Sequence, residues 1–206
     1  MLRLALALLI ALGAAPGAVL AATEKAIVAG GCFWCVEADF EKVKGVRSVV
    51  SGYTGGSSQN PTYRDHEDHY EAVEITFDNA VISYDTVVAM FLRSVDVTDA
   101  GGQFCDRGNS YRTAIFPLNN RQKATATAAV AEAEKALGQK IVTPVLAPKT
   151  FWIAEDYHQD YYKGNTIVLT RGGPKKQSNA YDFYRKGCGR DARVKELWGA
   201  AAPFVK

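Results

Sequence analysis

Residues 30–36 read Gly-Gly-Cys-Phe-Trp-Cys-Val, which places Cys32 between an apolar run and the head of an amphipathic segment. The start of a helix presents unpaired backbone N–H groups and the positive end of the macrodipole, and both favour a thiolate. Cys32 is therefore the first candidate nucleophile, although a cysteine buried in a strand-to-helix junction would carry the same local sequence. Other groups able to move protons or donate hydrogen bonds fall in expected loops or at strand ends. They are Tyr63 in Asn-Pro-Thr-Tyr-Arg, Glu71 two residues after His69, and Asp106 and Tyr111 in Cys-Asp-Arg-Gly-Asn-Ser-Tyr-Arg. Loops are where functional groups concentrate, yet each of these also reads plainly as a surface carboxylate, a turn residue or a tyrosine covering the core.

The elements that must position these groups follow from pattern. Lys25 to Ala29 is a short apolar strand ending in Gly30-Gly31, and a helix follows over 33–43 with Val36, Phe40 and Val43 on one face. Gly45 ends it, and strands are expected over 46–53 and 71–78, the second alternating with Val73, Ile75 and Phe77 on one side. Ser83 caps a helix running to about Val95, with Asp85 in its first turn. An aperiodic, glycine-bearing loop spans 96–110, followed by a strand over 113–118 and an alanine-rich helix over 119–137 closed by Gly138. A strand over 141–146 carries Pro144, which suits an edge. From Phe151 the chain is aromatic-rich and irregular, with short helical pieces expected. Strands and helices that mix without strict alternation predict an α+β fold: a two-layer sandwich with a ferredoxin-like core, its mixed sheet flanked by helices, and a long irregular C-terminal segment.

The chain has 206 residues, 48% of them hydrophobic and 22% charged, with a net charge of +2, which suits one globular domain and gives no reason to expect a nucleic-acid partner. Residues 171–196 hold eight Lys and Arg against three Asp and Glu, which reads as a solvated basic tail. The first 22 residues differ in kind: Met-Leu-Arg, an unbroken apolar run from Leu4 to Leu12, then Gly13, Pro16 and small residues. This is the layout of a secretory signal peptide cut after Ala21 or Ala22, with a membrane anchor as the runner-up. The expectation is a single domain over 23–206 with a C-terminal tail over 171–206, secreted or periplasmic, monomeric, and without stable membrane association once the leader is removed. Export permits disulfides, and Cys32, Cys35, Cys105 and Cys188 allow three full pairings between which sequence does not choose.

Gly-Cys-Phe-Trp at 31–34, Gly-Tyr-Thr-Gly-Gly at 52–56, Asn-Pro-Thr-Tyr at 60–63, His69 with Glu71, and Asp-Arg-Gly-x-x-Tyr-Arg at 106–112 together resemble the type A peptide-methionine sulfoxide reductases, in order and in spacing. The resemblance covers roughly 25–160. It implies reduction of methionine S-sulfoxide, free or in oxidised proteins, with Cys32 attacking sulfur and Glu71 protonating the oxygen, which requires burial to raise the Glu71 pKa. It further implies Tyr63 and Tyr111 as donors to that oxygen, Asp106 orienting the cluster, and Phe33 and Trp34 walling a pocket for the S-methyl group, with His69 and His158 close by.

The attack would leave Cys32 as a sulfenic acid, which a second thiol condenses to a disulfide. The resemblance points to Cys188, in the glycine-flanked Lys-Gly-Cys-Gly-Arg, as the resolving thiol. This sequence departs from the common pattern at Cys35, where glycine is usual, and at Cys105, so Cys35 is kept as an alternative resolver through a Cys-x-x-Cys bond with Cys32. No organic cofactor is implied, only an external reductant such as thioredoxin. No metal is expected, because zinc held by Cys32 and Cys35 with His66 and His69 would silence the nucleophile. Two rivals remain: an exported thiol-disulfide oxidoreductase working through Cys32 and Cys35, and a non-catalytic binding module stabilised by two disulfides.

Overall fold

The computed structural model describes residues 22–205; residues 1–21 of the expected leader lie outside the described residues. Strand β1 (Thr23–Gly30) leads through Gly31 into helix α1 (Phe33–Phe40), followed by strands β2 (Val46–Thr54) and β3 (Tyr70–Asp78) and helix α2 (Tyr84–Leu92). The loop after α2 folds into a two-residue-arm hairpin, β4 (Gly102–Gln103) with β5 (Asp106–Arg107), before strand β6 (Thr113–Phe116) and helix α3 (Asn120–Leu137). Caps fall where the residue types place them. The Ser83 hydroxyl accepts from Thr86 N–H, the Asn119 side chain accepts from Gln122 N–H, and Gly138 closes α3 in the left-handed conformation at φ 66°.

The central sheet has the order β6-β1-β3-β2-β7, where β7 is Trp152–Ile153. Leaving aside the short β7 and the separate β4–β5 hairpin, the run from β1 to β6 is β-α-β-β-α-β, the split arrangement expected of a ferredoxin-like core. Every ladder between these strands is antiparallel, and the parallel component of the expected mixed sheet reduces to one bridge, Ile115 with Val145. That bridge is what the expected strand over 141–146 becomes. Pro144 offers only its carbonyl, which accepts from Ile115 N–H, while Leu146 N–H returns to the Ile115 carbonyl.

Alternation assigns the two faces. Ala26, Val28, Val73, Ile75 and Phe77 face a core filled by Val36 and Phe40 of α1 and by Val87, Val88, Phe91 and Leu92 of α2. Ile27, Ala29, Tyr70, Ala72, Ala114 and Phe116 face the other side, where Leu146 and Phe151 pack against them. Glu71 shares parity with Val73, Ile75 and Phe77, so the pleat turns its carboxylate toward the helix-covered side.

The C-terminal third is more regular than its composition suggests. A hairpin of β8 (Ile167–Thr170) and β9 (Gly173–Lys176) leads into helix α4 (Gln177–Gly187) and helix α5 (Arg190–Trp198). The solvated basic tail is corrected in part here, because Arg185 and Arg190 are 5% and 2% exposed. Arg185 pairs with Asp39 of α1 at 2.8 Å and with Asp191 at 2.7 Å, and Arg190 donates to the carbonyls of Gly30 and Ser94. A count of charges cannot show that two of them reach inward to partners more than ninety residues away. These contacts pin the C-terminal helices over α1, so that α1 is buried on both sides and even its Glu37 and Asp39 are covered.

Candidate active site

Cys32 is the N-cap of α1, and the turn that delivers it depends on Gly31. Gly31 adopts φ +75°, and a Cβ there would approach Gln103 Cβ to 2.5 Å, so only glycine fits. The open first turn of α1 is used at once: Phe33 N–H donates to Glu71 Oε2 at 3.1 Å, joining the helix start to β3. Around this junction lies a small cavity of about 60 Å³, partly open to solvent, lined by Cys32, Phe33, Trp34, Tyr63, Glu71, Asp106, Tyr111 and Tyr184. The structure therefore gathers into one cavity seven residues that the sequence separates by up to 79 positions, the span from Cys32 to Tyr111.

Electrostatics divide the roles. Glu71 is 2% exposed, and burial first of all lifts its pKa to about 8 against the Phe33 N–H bond, with the charges of Asp106 and Cys35 adding to the rise. Burial also pushes the Cys32 thiol well above its usual value, helped by its hydrogen bond with Cys35 and by the nearby Cys35, Glu71 and Asp106. This outweighs the helix-start effect expected from sequence. Cys35 moves the other way, because the hydrogen bond with Cys32 and the cations of Arg190 and Arg185 favour its thiolate over the opposing effect of burial. A Cys32 thiolate and a Glu71 carboxylate repel one another, so the state with a neutral Glu71 is the state in which a Cys32 thiolate is tolerated. Tyr63, with Tyr111 hydrogen-bonded to it, is raised by burial to about 12, and burial raises Tyr111 as well; both keep their hydroxyl protons at neutral pH and can donate them in hydrogen bonds.

The remaining sequence candidates fall outside the cavity lining. His158 supports its wall from behind: Trp34 Nε1–H donates to His158 Nδ1 at 3.1 Å, and the imidazole packs against Phe33 and Tyr63. Burial lowers the His158 pKa to about 4, so the ring is neutral. His69 does not reach the cavity; its Nδ1 accepts from Gly56 N–H and its Nε2 bonds Ser58, so it holds the 54–58 loop. Cys35, 2% exposed, lies under Cys32 among Ala38, Ala180 and Tyr181. Cys188 is placed differently from the sequence expectation. It is the C-cap of α4, bonded to Cys105, while Cys32 and Cys35 are free thiols. In this structure its partner is Cys105 and not Cys32. The reason is proximity across 83 residues, which sequence does not encode locally.

Two residues escaped the sequence reading. Tyr184 lines the cavity and donates its hydroxyl to Asp106 Oδ2; its place one helical turn before Cys188 was the available signal. His66 directs Nε2 toward Glu71 Oε1 at 3.7 Å, while its Nδ1 faces the Thr62 carbonyl and must carry the proton there. Among the described residues, the acidic trio Glu37, Glu41 and Asp160 brings carboxylate oxygens together, but Ser51 and the Asp160 N–H occupy Glu37, and Lys163 bridges the other two. That trio is an ion-pair junction away from the cysteines.

The comparisons agree with this arrangement. Residues 24–192 match the family described as peptide methionine sulfoxide reductase. The chain is 49% identical over 181 residues to a peptide methionine sulfoxide reductase MsrA 2 of Rhizobium meliloti, covering 87% of this chain and 85% of the relative. It is 47% identical over 199 residues to a protein of the same description from Caulobacter vibrioides, covering 94% and 95% of the two chains. Among solved structures, methionine sulfoxide reductase A of Corynebacterium diphtheriae superimposes with a TM-score of 0.64 at 27% identity, covering 74% of this chain and 84% of that one. With that match over most of its length, and with Cys32, Tyr63, Glu71, Asp106 and Tyr111 meeting in a single cavity, the chain belongs to the peptide methionine sulfoxide reductases.

Proposed function

We propose that this protein reduces methionine S-sulfoxide, free or within oxidised proteins, to methionine. The observation that carries the reading is the meeting of Cys32 with a buried, proton-holding Glu71 and two tyrosine hydroxyls in one small cavity walled by Phe33 and Trp34. With the S-methyl group against the aromatic wall, the sulfoxide oxygen points toward Glu71, Tyr63 and Tyr111. Glu71 gives its proton to the oxygen as the Cys32 thiolate attacks sulfur. A bond forms between Cys32 Sγ and the substrate sulfur; the protonated oxygen then passes to Sγ as the sulfur–oxygen and Sγ–sulfur bonds break, so methionine leaves and Cys32 carries the oxygen as a sulfenic acid.

Cys35 resolves that sulfenic acid. It is the free thiol beside Cys32, and the arginines behind it favour its thiolate. Condensation forms a Cys32–Cys35 disulfide and releases water, and a thioredoxin-like dithiol returns the pair to the reduced state. No prosthetic group is required. The apolar leader supports work outside the cytosol, in the periplasm or beyond.

The test is to give the reduced protein each methionine sulfoxide epimer without a recycling system, and to map the bond formed by peptide mass analysis. One equivalent of methionine from the S epimer with a new Cys32–Cys35 bond is expected. No reduction of either epimer overturns the reading. Exchange activity on disulfides that survives Glu71→Gln would favour the thiol-disulfide oxidoreductase instead.

A further inference from the structure

Two ties join the same two segments beside the cavity. One is covalent, Cys105 to Cys188; the other is the hydrogen bond from the Tyr184 hydroxyl to Asp106. Cys105 is the immediate neighbour of Asp106, and the Cys188 N–H donates to the Tyr184 carbonyl at 2.9 Å, so the disulfide lies one residue from one partner and one helical turn from the other. Both Asp106 and Tyr184 line the catalytic cavity.

The segments differ in how firmly they are held without these ties. Helix α4 is anchored independently through Arg185 to Asp39 and through Tyr181 in the core. The β4–β5 tip is a hairpin with two-residue arms, with Cys105 exposed and with Phe104 held at φ +54°, a conformation unfavourable for a bulky residue. The Arg190 guanidinium lies 4.8 Å over the Phe104 ring. The arms of the hairpin are held by Gln103 to Asp96 and by Arg107 to Asp99, but among the described residues the hydrogen-bond partner of the Asp106 carboxylate is Tyr184, so the aim of that carboxylate depends on α4.

We propose that the Cys105–Cys188 disulfide is a clamp, not a turnover disulfide. It fixes the β4–β5 tip to α4 so that Tyr184, acting as a positioning residue, holds Asp106 at the wall of the cavity that Glu71 also lines. The proposal rests on the reductase reading above. It assigns the second cysteine pair a role in substrate positioning and leaves Cys32 and Cys35 as the pair that cycles.

The experiment compares Cys105→Ser, Cys188→Ser, the double variant, Tyr184→Phe and the triple variant. It measures KM for a methionine-sulfoxide peptide, single-turnover methionine yield and thioredoxin-dependent recycling, with unfolding temperature measured alongside. The two single cysteine variants and the double are expected to behave alike, with KM raised about fivefold and both yield and recycling retained. Tyr184→Phe, which keeps the disulfide and folds whatever the cysteines do, is expected to raise KM similarly. Adding it to the double variant should cause no further loss, because both changes release the same contact. Loss of recycling in Cys188→Ser with normal recycling in Cys105→Ser overturns the clamp and makes Cys188 the resolver. An unchanged KM in Tyr184→Phe, or losses that multiply in the triple variant, overturns it as well. Failure of the wild-type protein to reduce either epimer would instead remove the reductase reading, so the two failures are distinguishable.

Discussion

Glu71 and Glu37 are two carboxylates at similar depth, 2% and 1% exposed, and burial is the main cause that lifts their pKa values, to about 8 and about 7. Glu71 meets the first turn of α1 and Glu37 sits at its middle, and they differ in what their oxygens do. Glu37 is spent on structure: Oε2 accepts from the Ser51 hydroxyl and Oε1 from the Asp160 N–H, each at 3.0 Å. Glu71 has one fixed donor, Phe33 N–H on Oε2, and its group opens on the cavity beside Cys32. Burial alone raises either group. A proton becomes transferable only where an oxygen is left facing the space a substrate can enter.

Replacing each glutamate by glutamine breaks the comparison if it is false. Glu71→Gln is expected to slow single-turnover reduction by about 10²–10³-fold, the size of a lost general acid. Glu37→Gln is expected to leave that rate within about threefold while lowering stability on the order of 1 kcal/mol, since the amide oxygen can still accept from the Asp160 N–H but the amide nitrogen only donates, and the Ser51 hydroxyl must turn round to accept from it. Stopped-flow rates and denaturant titration of the two variants decide it, and equal rate losses would dissolve the distinction.

Acidity sharpens it. Because the reacting state pairs a proton on Glu71 with a thiolate on Cys32, whose thiol lies higher still, the single-turnover rate of the wild-type protein should rise as the pair loses its first proton near pH 8, and this limb should move away from 8 in Glu71→Gln. Stability gives the complementary reading for Glu37. Its folded pKa lies above the unfolded value, so the folded chain binds the extra proton. The stabilisation is fully present below about 4.5 and is lost as pH rises through about 7. Unfolding temperature measured from pH 4.5 to 8 should therefore fall less steeply in Glu37→Gln than in the wild type, while the rate limb near 8 is retained.

The same contrast explains how much could be read in advance. Cys32 at a helix start and the strand parity that buries Glu71 are local properties, visible in the alternation of Val73, Ile75 and Phe77. So are the caps at Ser83, Asn119 and Gly138. What stayed hidden depends on long-range pairing. Arg185 looks like one charge in a basic run until it meets Asp39, 146 positions away, and Cys188 looks like a free thiol until it meets Cys105. The helix-start argument for a Cys32 thiolate also failed to weigh two carboxylates, Glu71 and Asp106, that only the fold brings to the same cavity.

The aromatic wall extends the comparison from proton supply to substrate positioning, with smaller effects. Trp34 stacks on Tyr161 at 3.8 Å with an interplanar angle of 7°, so its ring is held mainly by area. Trp34→Ala removes one side of the methyl site and should cut kcat/KM by roughly 10–100-fold, the worth of a small apolar contact.

His158→Phe should cost less. The phenyl ring can keep the packing against Phe33 and Tyr63, and only the hydrogen bond from Trp34 Nε1 is lost, a net contribution of about 1 kcal/mol, or roughly fivefold in KM. Because His158 is neutral throughout the working range, with its pKa at about 4, the variant should leave the limb near 8 where it is. A shifted limb would mean that the imidazole takes part in proton delivery, and the separation between the group that supplies the proton and the groups that aim the substrate would then fail at His158.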